Sequence, residues 1–184
     1  MFKNVMAYRI GPNWNATVPE IESAFSANRF IECTPGQDKS VGWSEPRGLE
    51  NGPLIESIGG QWIAKLLIET KAVPSSVVKR KAELQAQDIQ AKTGRKPGKK
   101  ENREMREDIL QSLLPQAFAK QASVMVWINP QDRLLAIDAA STGKADEVIT
   151  QLVRALPGLD LNLLQTATSP QAGMAAWLLT TDTD

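Results

Sequence analysis

The stretch from Pro74 to Pro115 constrains the fold more than any other, because it is helix-forming throughout yet has little apolar surface to bury. Val78, Ala82, Gln85 and Ile89 share one face of a first segment that Ser75 or Ser76 can open and that runs to about Lys92. Met105, Ile109 and Leu113 recur at i, i+4, i+8 spacing in a second, from about Glu101 to Pro115. Gly94 and Pro97-Gly98 break the helix between them. Stripes this thin cannot hold two helices inside a core. They can zip against each other, so an antiparallel helical arm projecting into solvent is expected.

Charge singles out the same stretch. Lys79, Arg80, Lys81, Lys92, Arg95, Lys96, Lys99, Lys100, Arg103 and Arg106 are ten of the chain's 21 Lys and Arg residues, set against four acidic residues in the interval Lys79 to Arg106. The interval is therefore +6, and because the whole chain is formally neutral the remaining residues carry −6. Charges separated by more than a Debye length, about 8 Å at physiological salt, barely interact, so a detached cationic arm attracts phosphate almost independently of an acidic body. The reading requires those cations to stay grouped and not to be spent on neighbouring carboxylates. The bland alternative is a charged, solvated helix pair with no ligand.

The rest of the chain reads as an α+β fold. A strand is expected from Phe2 to Ile10, then a helix opened by the capping pair Thr17 and Glu20 with Ile21, Ala24 and Phe25 inward. Strands follow near Phe30 to Cys33, Val41 to Ser44 and Trp62 to Glu69, with a Gly- and Pro-rich loop over Pro46 to Gly60. After the arm, Ser123 to Asn129 and Arg133 to Asp138 form a hairpin around Pro130-Gln131-Asp132. A helix opened by Ser141 or Thr142 places Ala145, Val148, Ile149, Leu152, Val153 and Leu156 at core spacing and stops at Pro157-Gly158. A short strand at Leu159 to Leu164 and a helix opened by Ser169-Pro170, carrying Met174, Trp177 and Leu178, complete the set. Antiparallel sheets with packed helices and an inserted basic hairpin are expected, in three stretches: 1–74, 75–120 for the arm, and 121–184.

The composition removes most catalytic chemistry that relies on side chains alone. Histidine is absent, and Cys33 is the single cysteine, so neither a histidine triad nor a thiolate zinc site is available. Gly94 to Lys100 resembles a phosphate loop superficially, but it has three residues between its glycines, ends in Lys100 where Ser or Thr belongs, and lies between helices. Asp132 and Asp138 suit a turn and a strand end, while Glu101/Glu104 and Glu107/Asp108 suit the early turns of a helix. Cys33 reads as a small hydrophobe and fits a reducing compartment. No catalytic residue, metal or cofactor is expected. No run approaches the roughly 18 apolar residues of a membrane span, and the start lacks a signal peptide's apolar stretch, so a cytoplasmic location is expected. Trp14, Trp43, Trp62, Trp127 and Trp177 fall in core-type elements and not among the basic residues, which favours phosphate contact over base stacking.

Several segments, in order along the chain, resemble the recombination-associated protein RdgC family. They are Phe2 to Arg9, Val41-Gly42-Trp43, Leu113-Leu114-Pro115-Gln116-Ala117-Phe118 and Met125-Val126-Trp127-Ile128. Asp138-Ala139-Ala140-Ser141 with Lys144 to Glu147, and Ser169-Pro170 ahead of Met174 to Leu178, continue the series. The resemblance implies a non-enzymatic, nucleoid-associated protein that binds double-stranded DNA with little sequence preference and restrains RecA-promoted recombination. It further implies a homodimeric ring around the duplex, with the arm as the tip and Phe118 at one dimer contact, although Phe118 also suits an ordinary core position. RdgC-like chains ordinarily continue well beyond the point where this one stops, so the resemblance is to their N-terminal portion and ring closure by this chain alone is not expected. The expected mechanism is electrostatic: the ten arm cations contact phosphates of duplex DNA and release counterions. The rival readings are a protein-interaction fragment that associates with RdgC or its partners, and a metal-dependent nuclease.

Overall fold

A computed structural model of the chain describes residues 3–180; Met1, Phe2 and the end Thr181 to Asp184 lie outside the described residues. The fold is α+β. The described strands, β1 (Met6–Ile10), β2 (Lys39–Ser44), β3 (Ile55–Ile58), β4 (Gln61–Lys71), β5 (Ala119–Asn129), β6 (Leu134–Ile137) and β7 (Leu161–Leu163), form one antiparallel sheet in the order β2-β4-β5-β6-β1-β7. The described helices are α1 (Val18–Ala27), α2 (Ser75–Thr93), α3 (Lys99–Leu113), α4 (Thr142–Ala155) and α5 (Pro170–Thr180).

Alternation along the strands decides which side of the sheet is covered. Ala64, Leu66 and Ile68 of β4 point the same way as Val124, Val126 and Ile128 of β5 and Leu135 and Ile137 of β6. Ile21 and Phe25 of α1 and Ala145, Val148, Leu152 and Ala155 of α4 join them in the main core. Within it Phe25 stacks on Trp43 with ring centroids 3.9 Å apart. The opposite face presents Ile63, Leu67, Met125 and Trp127, all half-buried.

The cap of α1 works as its side chains suggest, whereas α2 has Pro74 at its cap position and Ser141 at the start of α4 makes no side-chain cap bond. Glu20 accepts the backbone N–H and the hydroxyl of Thr17, both at 2.7 Å, at the start of α1. The Asn129 and Asp132 side chains bond across the turn into β6, and Asp138 accepts the Lys3 and Asn4 N–H groups at 3.1 and 2.9 Å. Both acids thereby have structural employment.

Several expectations need correction. The first strand begins only at Met6, with Val5 61% exposed, and Val153 on α4 is 47% exposed, off the inner stripe. Phe30 to Cys33 is not a strand: only one parallel bridge, Arg29 to Trp43, forms there. Gly42 allows it, since a Cβ at that position would stand 2.4 Å from Phe30 Cα. The supposed loop Pro46 to Gly60 contains β3, which continues along the same edge of β4 that β2 occupies further on. Gln85 is exposed, and Ala86, one helical turn after Ala82, takes its place in the arm's seam. Trp177 is 73% exposed and Leu178 74%, and no side chain of α5 among the described residues is buried in the core. A stretch of apolar residues there has no amphipathic stripe to direct it inward.

Candidate nucleic-acid interface

The arm is built from the turn of a β-hairpin. β4 and β5 pair from Trp62↔Ile128 to Lys71↔Ala119, and α2 and α3 are inserted where a short turn would otherwise close them. With 19 residues, α2 extends about 28 Å at roughly 1.5 Å per residue. Its seam is a separate small cluster of Ala82, Met105 and Ile109, flanked by Val78, Ala86, Ile89 and Leu113, and shares no residue with the main core.

A polar knot stiffens the root. Buried Glu69 accepts the Cys33 N–H and the Gln121 side-chain amide, each at 2.7 Å, and these bonds, Gln121's first, hold its carboxyl below the usual carboxylate range. Lys71 donates to the carbonyls of Cys33 and Thr34 at 3.3 and 2.9 Å. Burial, reinforced by Glu69, pushes the Cys33 thiol up, away from a reactive thiolate.

The far end is equally defined. Gly94 closes α2 in the left-handed region at φ 73°, a conformation that favours glycine. Glu101 then bridges the turn: it accepts two guanidinium bonds from Arg95, at 2.9 and 2.7 Å, and the Gly98 N–H at 2.7 Å. Its pKa falls to about 2, chiefly through Arg95 and next through Gly98. The N-terminus of α3 is thus occupied by the chain's own carboxylate, which argues against a phosphate loop at Gly94 to Lys100.

All ten cations of the expected site lie on this arm and all are exposed. Five have acidic partners within the arm: Lys79–Glu83 (3.9 Å), Lys92–Asp88 (2.7 Å), Arg95–Glu101 (2.7 Å), Lys100–Glu104 (3.7 Å) and Arg103–Glu107 (2.9 Å). Arg80, Lys81, Lys96, Lys99 and Arg106 make no ion pair among the described residues. Counting both helices in full adds Glu107 and Asp108, so Ser75 to Leu113 carries +4 and the remainder of the chain −4. The pairs are solvent-exposed contacts of little net stability, and pairing leaves the summed charge unchanged. Half of the ten cations are thus spent on neighbouring carboxylates, contrary to the expectation, and the other five meet it among the described residues.

Sequence reasoning missed a groove of about 1130 Å³ beside the arm, where Ser75 and Ser76 meet Lys79, Lys99, Arg103 and Arg106. Only helical phase, and not the charge count, could have indicated it. Phe118, between the 3-10 turn Leu114–Gln116 and β5, is 95% exposed and outside either core. Among the described residues, no three of His, Cys, Asp and Glu gather where they could hold a metal ion, and no helix is long and apolar enough to cross a membrane.

Comparison with known proteins matches residues 1–184 to the family model "Putative exonuclease, RdgC". The chain is 37% identical over 177 residues to the recombination-associated protein RdgC of Dechloromonas aromatica, covering 96% of this chain and 58% of that protein. RdgC of Cupriavidus necator is 38% identical and RdgC of Bordetella pertussis 37%, with the same coverage. The chain thus spans little more than half the length of the curated relatives it matches.

Proposed function

Because the chain belongs to the RdgC family of recombination-associated proteins, we propose that it binds double-stranded DNA without sequence preference through its helical arm, and so restrains RecA-promoted recombination by occupying the duplex. One observation carries the proposal: a +4 helical pair with its own apolar seam stands apart from a −4 body, with every cation exposed. Arginine and lysine on such a surface neutralise phosphates and release counterions, which yields affinity without base readout. The proposed setting is the nucleoid, with Phe118 at a contact between two copies. No catalytic step is assigned to the chain.

The test is a titration of mixed-sequence duplex DNA at several salt concentrations. If about five phosphates are engaged at once, log affinity falls against log salt with a slope of about −4 to −5. A salt-insensitive complex, or none, overturns the proposal. The word exonuclease in the family's description favours a second reading, DNA cleavage. Running the titration with magnesium and following the length of the DNA separates the two, since the binding reading expects intact duplex. A RecA strand-exchange assay, compared with a Lys96→Glu/Lys99→Glu/Lys100→Glu variant, checks the restraint: the variant is expected to lose it.

A further inference from the structure

The two sides of the arm differ in charge. Around α2, the seam Val78, Ala82, Ala86, Ile89 leaves Lys79 and Glu83, paired at 3.9 Å, on one flank and Lys81, Asp88 and Lys92 on the other, as 3.6 residues per turn requires. Around α3, the seam Met105, Ile109, Leu113 leaves Lys99, Arg103 and Arg106 on one flank and Glu104 and Asp108 on the other. In an antiparallel pair the like-handed flanks face the same side. Accordingly Lys79, Lys99, Arg103 and Arg106 line one continuous groove, in which Glu107 is the one carboxylate. The reverse side sets Lys81, Lys92 and Lys100 against Asp88, Glu104 and Asp108, with Lys92 bound to Asp88 at 2.7 Å and Lys100 to Glu104 at 3.7 Å, so its charges cancel while the groove side keeps two positive charges in excess.

We infer that the arm grips DNA with one side only, and that a sugar-phosphate strand of the duplex lies along the groove between Lys79 and Arg106. The inference rests on the DNA-binding reading above and adds a direction to it. Charge complementarity names the occupant: a row of cations on one surface matches a row of phosphates, and Lys99 and Arg106 are unengaged by any carboxylate among the described residues. The Ser75 and Ser76 hydroxyls at the groove's root can donate to phosphate oxygens, and Val73 and Leu110 offer apolar surface to the deoxyribose. A strand approaching the reverse side meets three carboxylates and finds no net positive charge.

Two matched double variants test this, each removing two positive charges: Lys99→Ala/Arg106→Ala on the groove side and Lys81→Ala/Lys92→Ala on the reverse. Near 0.1 M salt the groove variant is expected to lose about tenfold or more in affinity for a mixed-sequence duplex, and its salt slope to flatten by about 2. The reverse variant should change by less than about threefold. Equal losses, or a larger loss on the reverse side, overturn the one-sided grip while leaving DNA binding standing. A wild-type protein that does not bind duplex overturns both. The exchange Lys99→Arg/Arg106→Lys keeps charge on both helices and is expected to bind like wild type; a loss there attributes the effect to altered helix geometry and also overturns the inference.

Discussion

Glu101 does more at the arm's end than any neighbouring residue, since one carboxylate satisfies a guanidinium by two bonds and caps the first turn of α3 through Gly98. Its pKa is lowered from 4.5 to about 2 in the folded chain. A depressed carboxylate stabilises the fold above its unfolded value and loses that contribution as pH falls through the folded one. Hence the turn should hold at neutral pH, weaken below about 4.5 and open near 2, which a carboxyl-carbon NMR titration of Glu101 checks by its midpoint. Glu101→Gln should produce the loosened turn at neutral pH, seen as faster Gly98 amide exchange. The variant removes no cation, so its affinity for duplex DNA should not fall.

At the scale of elements, the arm and the sheet are stabilised separately, because their apolar clusters have no member in common. Ile109→Ala removes the centre of the smaller cluster and should cost roughly 2 to 5 kcal/mol of local stability. Amide exchange in α2 and α3 should accelerate while protection in β4 to β6 stays unchanged; a uniform loss would mean that arm and body unfold together. Local pattern made much of this legible. The stripe of α3, those of α2 and α4 apart from Gln85 and Val153, the Thr17–Glu20 cap and the turn between β5 and β6 follow from spacing and turn chemistry. What stayed hidden depends on distant partners. β3 is four residues inside a Gly- and Pro-rich stretch and exists because β4 offers it an edge. The ion pairs at i, i+4 spacing could be read from the chain, but Arg95 reaches Glu101 only across a turn whose shape Gly94 sets. Whether Trp177 is covered is likewise a property of its surroundings and not of its own helix.

For the molecule as a whole, the separation of +4 from −4 gives it a polar character that its zero net charge conceals. An anionic rod is drawn to the arm and repelled by the body, which restricts the orientations of a productive encounter. Phe118, 95% exposed at the arm's root, is a large apolar side chain with no cover of its own. If it seats against a second copy, Phe118→Asp should lower the weight-average mass at high protein concentration and leave the melting temperature of the body unchanged. Sedimentation at several concentrations measures the first; equal masses for variant and wild type would rule out that contact.

Departure and return of the detour fall on facing rungs, Lys71 and Ala119, so no strand changes its neighbour if the helices are lifted out. A tight two-residue bend could span the gap and leave the ladder intact. Conversely, the excised piece should be portable, able to convert some other protein's plain hairpin into one that carries a polyanion handle.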